Sequence, residues 1–576
     1  MKQLALLAGA LFLMAFAAPA QNLLKSEWKF KTGDDASWAT SKTDDASWPA
    51  ILSGKMWEQQ GYDSYDGFAW YRQSVVVPGN LEAEARKNGG LILHLGKIDD
   101  SDYFYWNGEL LGQNGSLPPN YRTAYDADRV YKIPFEKIAF GKENLLAIRV
   151  YDGGGGGGLY RGDVSLRVPG MEDLLSISLV DIPANHIFLG DGPVALNLKL
   201  VNNYSENLSG RLKVTIRSDF GEPVTTSEEA VSARKNTSKT VQASLGKLPP
   251  GFYQATVLFE SGLDNKQLNF AIGSNPEQVS SPLNRPDDFE DYWKRAKREL
   301  AAVAPQYKMI RQDSLCTPER EVFLVEMRSL GNILVRGWYL RPTAPGRYPA
   351  ILQVQGYSSD RKANQGYQGN DMAAFVLNIR GHGNSRDHIN PGFPGYLLHH
   401  IEDKELYIYR GAYMDCIRAV DFLYSRPEVD TSRVVVEGGS QGGALSFATA
   451  ALDNERIKLC APQVPFLSDF EDYFKVAVWP GNEFKNYVEE HPEVGWDQVY
   501  HTLSYIDIKN LAPWIKAPVL MSVGLEDPVC PPHINFAAYN QLSAPKEYIV
   551  YPRAGHGLPG ENYETMIRWI RKNLGL

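Results

Sequence analysis

Cysteine is scarce in this 576-residue chain: Cys316, Cys416, Cys460 and Cys530 all fall in the second half, and no two stand in a Cys-x-x-Cys spacing. A disulfide scaffold is therefore excluded, and a cysteine-based zinc site has no support. The four read as buried small hydrophobes, with one disulfide at most. Positive charge is also short, with 59 Lys and Arg against 68 Asp and Glu and a net charge of −9, so the balance gives no basic surface for nucleic acid. Beyond the first twenty residues no stretch approaches the roughly 18 uninterrupted apolar residues of a membrane span. No repeat of about 40–50 residues is present, which argues against a propeller. What is there is ordinary globular composition, 43% hydrophobic and 22% charged, which excludes disorder. The 31 Tyr and 12 Trp fit β-rich cores and hint at sugar-stacking surfaces.

The first twenty residues read as an export leader. Lys2 supplies a positive start, an apolar run covers 4–18, and Ala18-Pro19-Ala20 is a small-residue cleavage pattern. Export to the periplasm or the exterior is expected, with a mature chain beginning at Gln21. The remaining length suggests about three domains.

Residues 21–170 read as an all-β sandwich without amphipathic helices. Short strands such as Trp70-Tyr71-Arg72-Gln73-Ser74-Val75-Val76-Val77 and Leu145-Leu146-Ala147-Ile148-Arg149-Val150 are separated by turn signals. Asn107-Gly108 accepts positive φ at both positions and predicts a tight hairpin. The words Gly67-Phe68-Ala69-Trp70-Tyr71-Arg72, Asp99-Asp100-Ser101-Asp102 and Trp106-Asn107-Gly108 make this stretch resemble the galactose-binding-like jelly roll that precedes many β-galactosidases and sialate esterases. Such a module either touches sugar or serves as packing support. The glycine run 153–158 reads as a rim loop, either solvent-exposed or approaching a ligand. Residues 171–275 alternate with period two in Val194-Ala195-Leu196-Asn197-Leu198-Lys199-Leu200 and Leu212-Lys213-Val214-Thr215-Ile216, which suggests an immunoglobulin-like sandwich acting as a spacer.

A linker at 273–278 leads into a different composition at 276–576. Phe289, Tyr292, Trp293, Ala296 and Leu300 recur at helical spacing over 287–300. Strands are predicted near 350–354, 374–379, 434–437, 458–461, 518–523 and 547–551, with helices near 413–425, 441–451 and 563–574. That alternation requires a mostly parallel sheet covered on both faces, an α/β domain following two all-β sandwiches.

The chemistry centres on Gly438-Gly439-Ser440-Gln441-Gly442, a G-x-S-x-G placed after the β-branched run Val434-Val435-Val436 and before a helix. This is the context in which a serine is held in a strained turn with its hydroxyl projecting from the sheet. Serine needs a base, and in this fold the chain order is serine, acid, histidine. His556 stands just past the last strand and before the last helix; His533 is its rival, while His491 and His501 fall in an aromatic-rich insertion. Asp527 follows the preceding strand and comes before Pro528; Glu526 is the alternative acid. The oxyanion hole is expected from the main-chain N–H groups of Gln441 and Tyr357. His382, in Arg380-Gly381-His382-Gly383, either touches substrate or is structural, with Arg380 anchoring the loop. The aromatic stretch 466–510 is either a lid or an extra helical layer, and Asp469, Glu471 and Asp472 within it read as solvated or capping residues and not as metal ligands.

Taken together, Arg285-Pro286-Asp287-Asp288-Phe289, Gln355-Gly356-Tyr357, Arg380-Gly381-His382-Gly383, Tyr409-Arg410-Gly411, the Gly438 to Gly442 turn and Val464-Pro465-Phe466-Leu467 resemble the acetyl xylan esterase/cephalosporin C deacetylase family of α/β-hydrolases. That family usually has Gln where His382 stands and Glu where Gly557 follows the histidine. The resemblance implies a serine esterase acting on acetyl esters of sugars, without metal or organic cofactor. The expected partner is an acetylated carbohydrate, with no nucleic acid and no membrane span; the oligomeric state is open. Two alternatives stand beside it: a prolyl-oligopeptidase-type peptidase, and a carbohydrate-binding scaffold with an inactive hydrolase domain.

Overall fold

The computed structural model describes residues 22–262 and 264–576. The expected leader, 1–20, lies outside them. Among the described residues, no helix is long and apolar enough to cross a membrane.

The N-terminal region is β-rich. A six-stranded sheet runs in the order Ala50–Leu52, Glu27–Thr32, Gly67–Val76, Glu143–Asp152, Ser101–Trp106, Glu109–Asn114, and a three-stranded sheet is formed by Asp128–Pro134, Gly90–Asp99 and Gly158–Arg167. Trp28, Phe30, Tyr71, Leu93, Phe104 and Ile148 meet in one core. The Asn107-Gly108 hairpin forms with φ of 51° and 88°, pairing Trp106 with Glu109. One helix escaped the pattern. Glu82–Asn88 carries acids in its first turn and bases in its last, but it buries only Ala85 and Asn88, so no apolar stripe marks it in the sequence. The glycine run is exposed at 153–155 and then passes directly over Trp57, where a Cβ on Gly157 would lie 2.1 Å from the indole.

A second β region comes next in the chain. The strands Leu175–Val180, Val194–Asn202 and Thr237–Gly246 form one sheet. Ile187–Phe188, Asn265–Ser274, Gly251–Ser261, Leu208–Ser218 and Pro223–Ala233 form the other. The last of its long strands runs through Ser274, so the expected linker is partly strand. This region is packed against the C-terminal domain: Ile187, Phe252 and Ala271 belong to that domain's core, and Phe252 packs on Phe536 with ring centroids 5.4 Å apart.

The C-terminal domain holds a nine-stranded sheet. Its order is Lys308–Arg311, Arg320–Ser329, Ile333–Pro342, Ala373–Asn378, Tyr348–Val354, Val429–Gly439, Leu459–Gln463, Val519–Gly524, Lys546–Tyr551. The first three strands are antiparallel, and the run from Ala373–Asn378 onward is parallel. Helices Ile408–Tyr424 and Gln441–Leu452 are buried nearly all round, the first with Arg410, Asp415 and Arg418 among its buried residues. Helix Phe289–Ala302 buries the predicted stripe of Phe289, Tyr292, Trp293, Ala296 and Leu300. All four cysteines are free thiols, with Cys416, Cys460 and Cys530 buried.

Candidate active site

Ser440 occupies the turn between strand Val429–Gly439 and helix Gln441–Leu452 with φ 61° and ψ −122°, a backbone conformation that a residue with a Cβ seldom adopts. The flanking glycines are dictated by contact. A Cβ on Gly438 would come 2.7 Å from the carbonyl oxygens of Val354 and Gly442, and one on Gly442 would come 2.6 Å from that of Val354. The turn is pinned by Ser440 N donating to Gln463 O at 2.9 Å and by Phe466 N donating to Ser440 O at 3.0 Å.

The structure brings three sequence-predicted side chains together. His556 Nε2 lies 3.0 Å from Ser440 Oγ, and His556 Nδ1 lies 2.9 Å from Asp527 Oδ2. The other carboxylate oxygen of Asp527 accepts from Val529 N at 2.8 Å and Cys530 N at 2.9 Å, which fixes its orientation in a buried position. With the Nδ1–H donated to that carboxylate, Nε2 is left as the acceptor for the serine hydroxyl. Glu526 N donates to Ala554 O at 3.0 Å, tying the acid loop to the histidine loop. Glu526 itself is exposed.

The rival histidines are elsewhere. His533 is buried between Asp219 and Asp472. His491 stacks on Tyr487, and His501 lies edge-on to Tyr505. The N–H groups of Tyr357 and Gln441 are not used by the turn, loop and capping bonds of the described residues. Gly356 adjoins Ser440, since a Cβ there would stand 3.9 Å from Ser440 Cβ.

His382 is fully buried behind this site. Its ring lies edge-on to Tyr396 at 4.4 Å, and burial pushes its pKa down to about 4, so it is neutral. Its Nδ1 is 3.5 Å from Arg380 O, and its Nε2 is 3.4 Å from Gln441 Nε2, while Tyr409 donates to Gln441 Oε1 at 2.6 Å. The histidine thus helps to hold the Gln441 side chain. Arg380 anchors the loop through Asp415, with Nε at 2.9 Å and a terminal nitrogen at 2.7 Å.

The stretch 466–510 forms helices Phe470–Val476, Gly481–Glu490 and Trp496–Ile506, whose Phe470, Tyr473, Phe474 and Phe484 pack on one another. Of the two expectations for Asp469, solvated or capping, the first fails: it stands at the N-cap of helix Phe470–Val476 without a side-chain cap bond, is buried, and receives Lys509 Nζ at 2.8 Å. Asp472 is paired as well, with Lys475 at 2.8 Å.

Two hollows open on Ser440 and His556. One of about 190 Å³ is bounded by Gly356, Tyr357, Phe466, Trp479 and Val529. The other, about 260 Å³, is bounded by Gln463, Leu558, Pro559, Asn562 and Tyr563. Gln463 is braced by Asn562 Nδ2 at 2.7 Å and by Glu437 at 3.3 Å, a buried carboxyl whose pKa burial pushes up. The Cys530 thiol, also pushed up by burial, sits against the Ser440 hydroxyl. Sequence reading assigned no role to Tyr409, Gln463, Cys530 or Asn562. Tyr409 alone lay in a recognisable word.

The family model of acetyl xylan esterases (AXE1) matches residues 278–573. The chain belongs to that family. Such an enzyme is a carboxylic ester hydrolase of the α/β-hydrolase serine esterase type. The acetyl esterase Axe7A of Xylanibacter ruminicola is 29% identical over 364 residues, covering 60% of this chain and 80% of that protein. The solved acetyl xylan esterase from Paenibacillus sp. R4 is 34% identical, covering 52% of this chain and 98% of its own, with a TM-score of 0.48. Acetyl xylan esterase 1 from Thermoanaerobacterium sp. JW/SL YS485 is 30% identical, covering 52% and 97%, also with a TM-score of 0.48.

Proposed function

We propose that the protein is an exported serine esterase that removes acetyl or similarly small acyl groups from oligosaccharides or polysaccharides, with Ser440 as nucleophile, His556 as base and Asp527 as its orienting acid. The observation that carries this reading is the unbroken pair of contacts from Ser440 Oγ to His556 Nε2 (3.0 Å) and from His556 Nδ1 to Asp527 Oδ2 (2.9 Å) at the mouth of two hollows. In this mechanism Ser440 attacks the ester carbonyl as His556 takes its proton. The Tyr357 and Gln441 amides hold the tetrahedral oxyanion, and each such donor is worth about 10²–10³ in rate. As the intermediate collapses and the ester C–O bond breaks, the imidazolium gives its proton to the departing sugar oxygen, which leaves as the hydroxyl. Water then attacks the acyl-enzyme with His556 again as base, and the carboxylic acid leaves.

We assign the domains as a leader at 1–20, a galactose-binding-like jelly roll at 21–170, an immunoglobulin-like sandwich at 171–275 and the α/β-hydrolase at 276–576. The two sheets of each front region, antiparallel except where Ile187–Phe188 runs parallel to Asn265–Ser274, support the middle two assignments, and they are unlike the propeller that usually precedes the peptidase alternative. Export rests on the pattern of the first twenty residues. The test is Ser440→Ala, assayed by acetate release from acetylated xylan and by p-nitrophenyl acetate hydrolysis. Loss of at least about 10⁴-fold is expected, and turnover near the wild-type rate refutes the mechanism.

A further inference from the structure

The C-terminal domain keeps its aromatic side chains covered, with two exceptions. Among its described residues beyond 280, only Trp479 (45%) and Tyr563 (43%) are large aromatics widely open to solvent. Scattered single exposed aromatics need no explanation, but these two are not scattered. Trp479 borders the hollow of about 190 Å³ and Tyr563 borders that of about 260 Å³, and both hollows end on Ser440 and His556. The two rings therefore each border a different hollow that reaches Ser440 and His556.

Both are mounted on firm supports. Trp479 sits between helices Phe470–Val476 and Gly481–Glu490, with its ring 6.1 Å from that of Tyr357, which in turn lies edge-on to Phe393 at 4.9 Å. Tyr563 is in the first turn of helix Glu561–Leu574, where buried Asn562 and Met566 fix the helix. Tyr563 is also shared with an adjoining hollow of about 730 Å³ that includes Tyr367, Ile567 and Arg568. The surface depression thus continues past the reacting centre on that side.

An acetyl group has one methyl to place, and neither hollow is needed in full for that. A pyranose ring presents an apolar face of C–H groups, and a flat aromatic ring covers such a face at little conformational cost. We propose that Trp479 and Tyr563 are sugar-stacking platforms, one in each of the two hollows that reach the scissile ester, so that the preferred substrate is an acetylated oligosaccharide or an internal segment of a polysaccharide and not a lone acetylated sugar. This rests on the carbohydrate-esterase reading above and narrows its substrate class.

The experiment is acetate release from acetylated xylo-oligosaccharides of one to six units by the full chain. The wild-type kcat/KM is expected to rise with length by about tenfold or more. Trp479→Ala and Tyr563→Ala are each expected to lower the ratio of hexasaccharide to monosaccharide kcat/KM by about 3- to 10-fold, mainly through KM. Trp479→Tyr, which retains a flat ring, restores most of it; a merely structural role would not be rescued in this length-dependent way. Equal kcat/KM for one and six units, or Ala variants that leave the ratio unchanged, overturns this inference alone. Hydrolysis of p-nitrophenyl acetate with no acetate from any acetylated sugar overturns the carbohydrate-esterase reading and this inference with it.

Discussion

Raising the pH from 7 to 10 is expected to loosen the seat of the second β region on the catalytic domain, because a buried imidazole holds the two together. His533 Nδ1 lies 2.9 Å from Asp219 Oδ2, on the loop after strand Leu208–Ser218, and Nε2 is 3.3 Å from Asp472 Oδ2 of the aromatic insertion, in ion-pair range though not aligned as a hydrogen bond. Phe220 closes over the ring at 5.0 Å. Burial pulls the histidine pKa down, but the two carboxylates outweigh it and lift it from its ordinary 6.5 to about 9. The reciprocal effect holds Asp472 well below the usual carboxylate range, with His533 the largest cause. A lift of that size corresponds to about 3 kcal/mol of stability. Since the folded pKa is raised, this contribution is complete below about pH 6.5, and most of it remains at pH 7. It is lost as pH rises through about 9. The perturbation is His533→Gln, and the assay is calorimetric melting of variant and wild type at pH 7 and pH 10. Taking the difference between the two proteins cancels the titration of other groups. At about 2–4 °C per kcal/mol, the variant is expected to melt roughly 5 °C lower at pH 7 and within about 1 °C of wild type at pH 10. An equal difference at both pH values, or none at pH 7, refutes the argument.

Asp527→Asn is expected to lower kcat by about 10⁴-fold while the fold persists, because an amide at this position no longer selects the Nδ1–H tautomer of His556 that leaves Nε2 free for Ser440; single-turnover kinetics on p-nitrophenyl acetate checks this. Tyr409→Phe deletes the 2.6 Å bond to Gln441 Oε1 and is expected to reduce kcat by about tenfold with little change in KM, since the residue whose amide is proposed to hold the oxyanion is then less firmly held. Iodoacetamide at pH 8 is expected to label native protein at Cys316 alone, because burial pushes the thiols of Cys416, Cys460 and Cys530 up and shields them. Mass spectrometry after brief labelling, with a denatured control carrying four adducts, reads the result.

Much of the catalytic architecture was legible because it rests on local backbone demands. A turn that must hold Ser440 at φ 61° between strand and helix needs glycine where neighbouring carbonyls leave no room for a Cβ, and that requirement is written in five consecutive residues. The helical stripe from Phe289 to Leu300 and the Asn107-Gly108 hairpin were legible for the same reason: each is a rule of spacing or φ acting over a few positions. Even the assignment of Asp527 and His556 depended only on which strand each one follows.

The remainder was decided by packing between segments far apart in the chain. Residue order does not reveal that Asp219 meets His533, that Lys509 neutralises a buried Asp469, or that His382 faces Gln441 and is kept from solvent. Short helices such as Glu82–Asn88 left no stripe to detect, and the exposure of Trp479 and Tyr563 near Ser440 follows from where two distant segments come to rest. The sequence by itself determined the Ser440 turn, the strand–helix alternation of the C-terminal half and the family, because these are properties of contiguous residues. Tertiary structure alone decided which side chains share a hollow, which carboxylates face an imidazole, and how firmly the second β region is seated, because those depend on distances that only the folded chain sets.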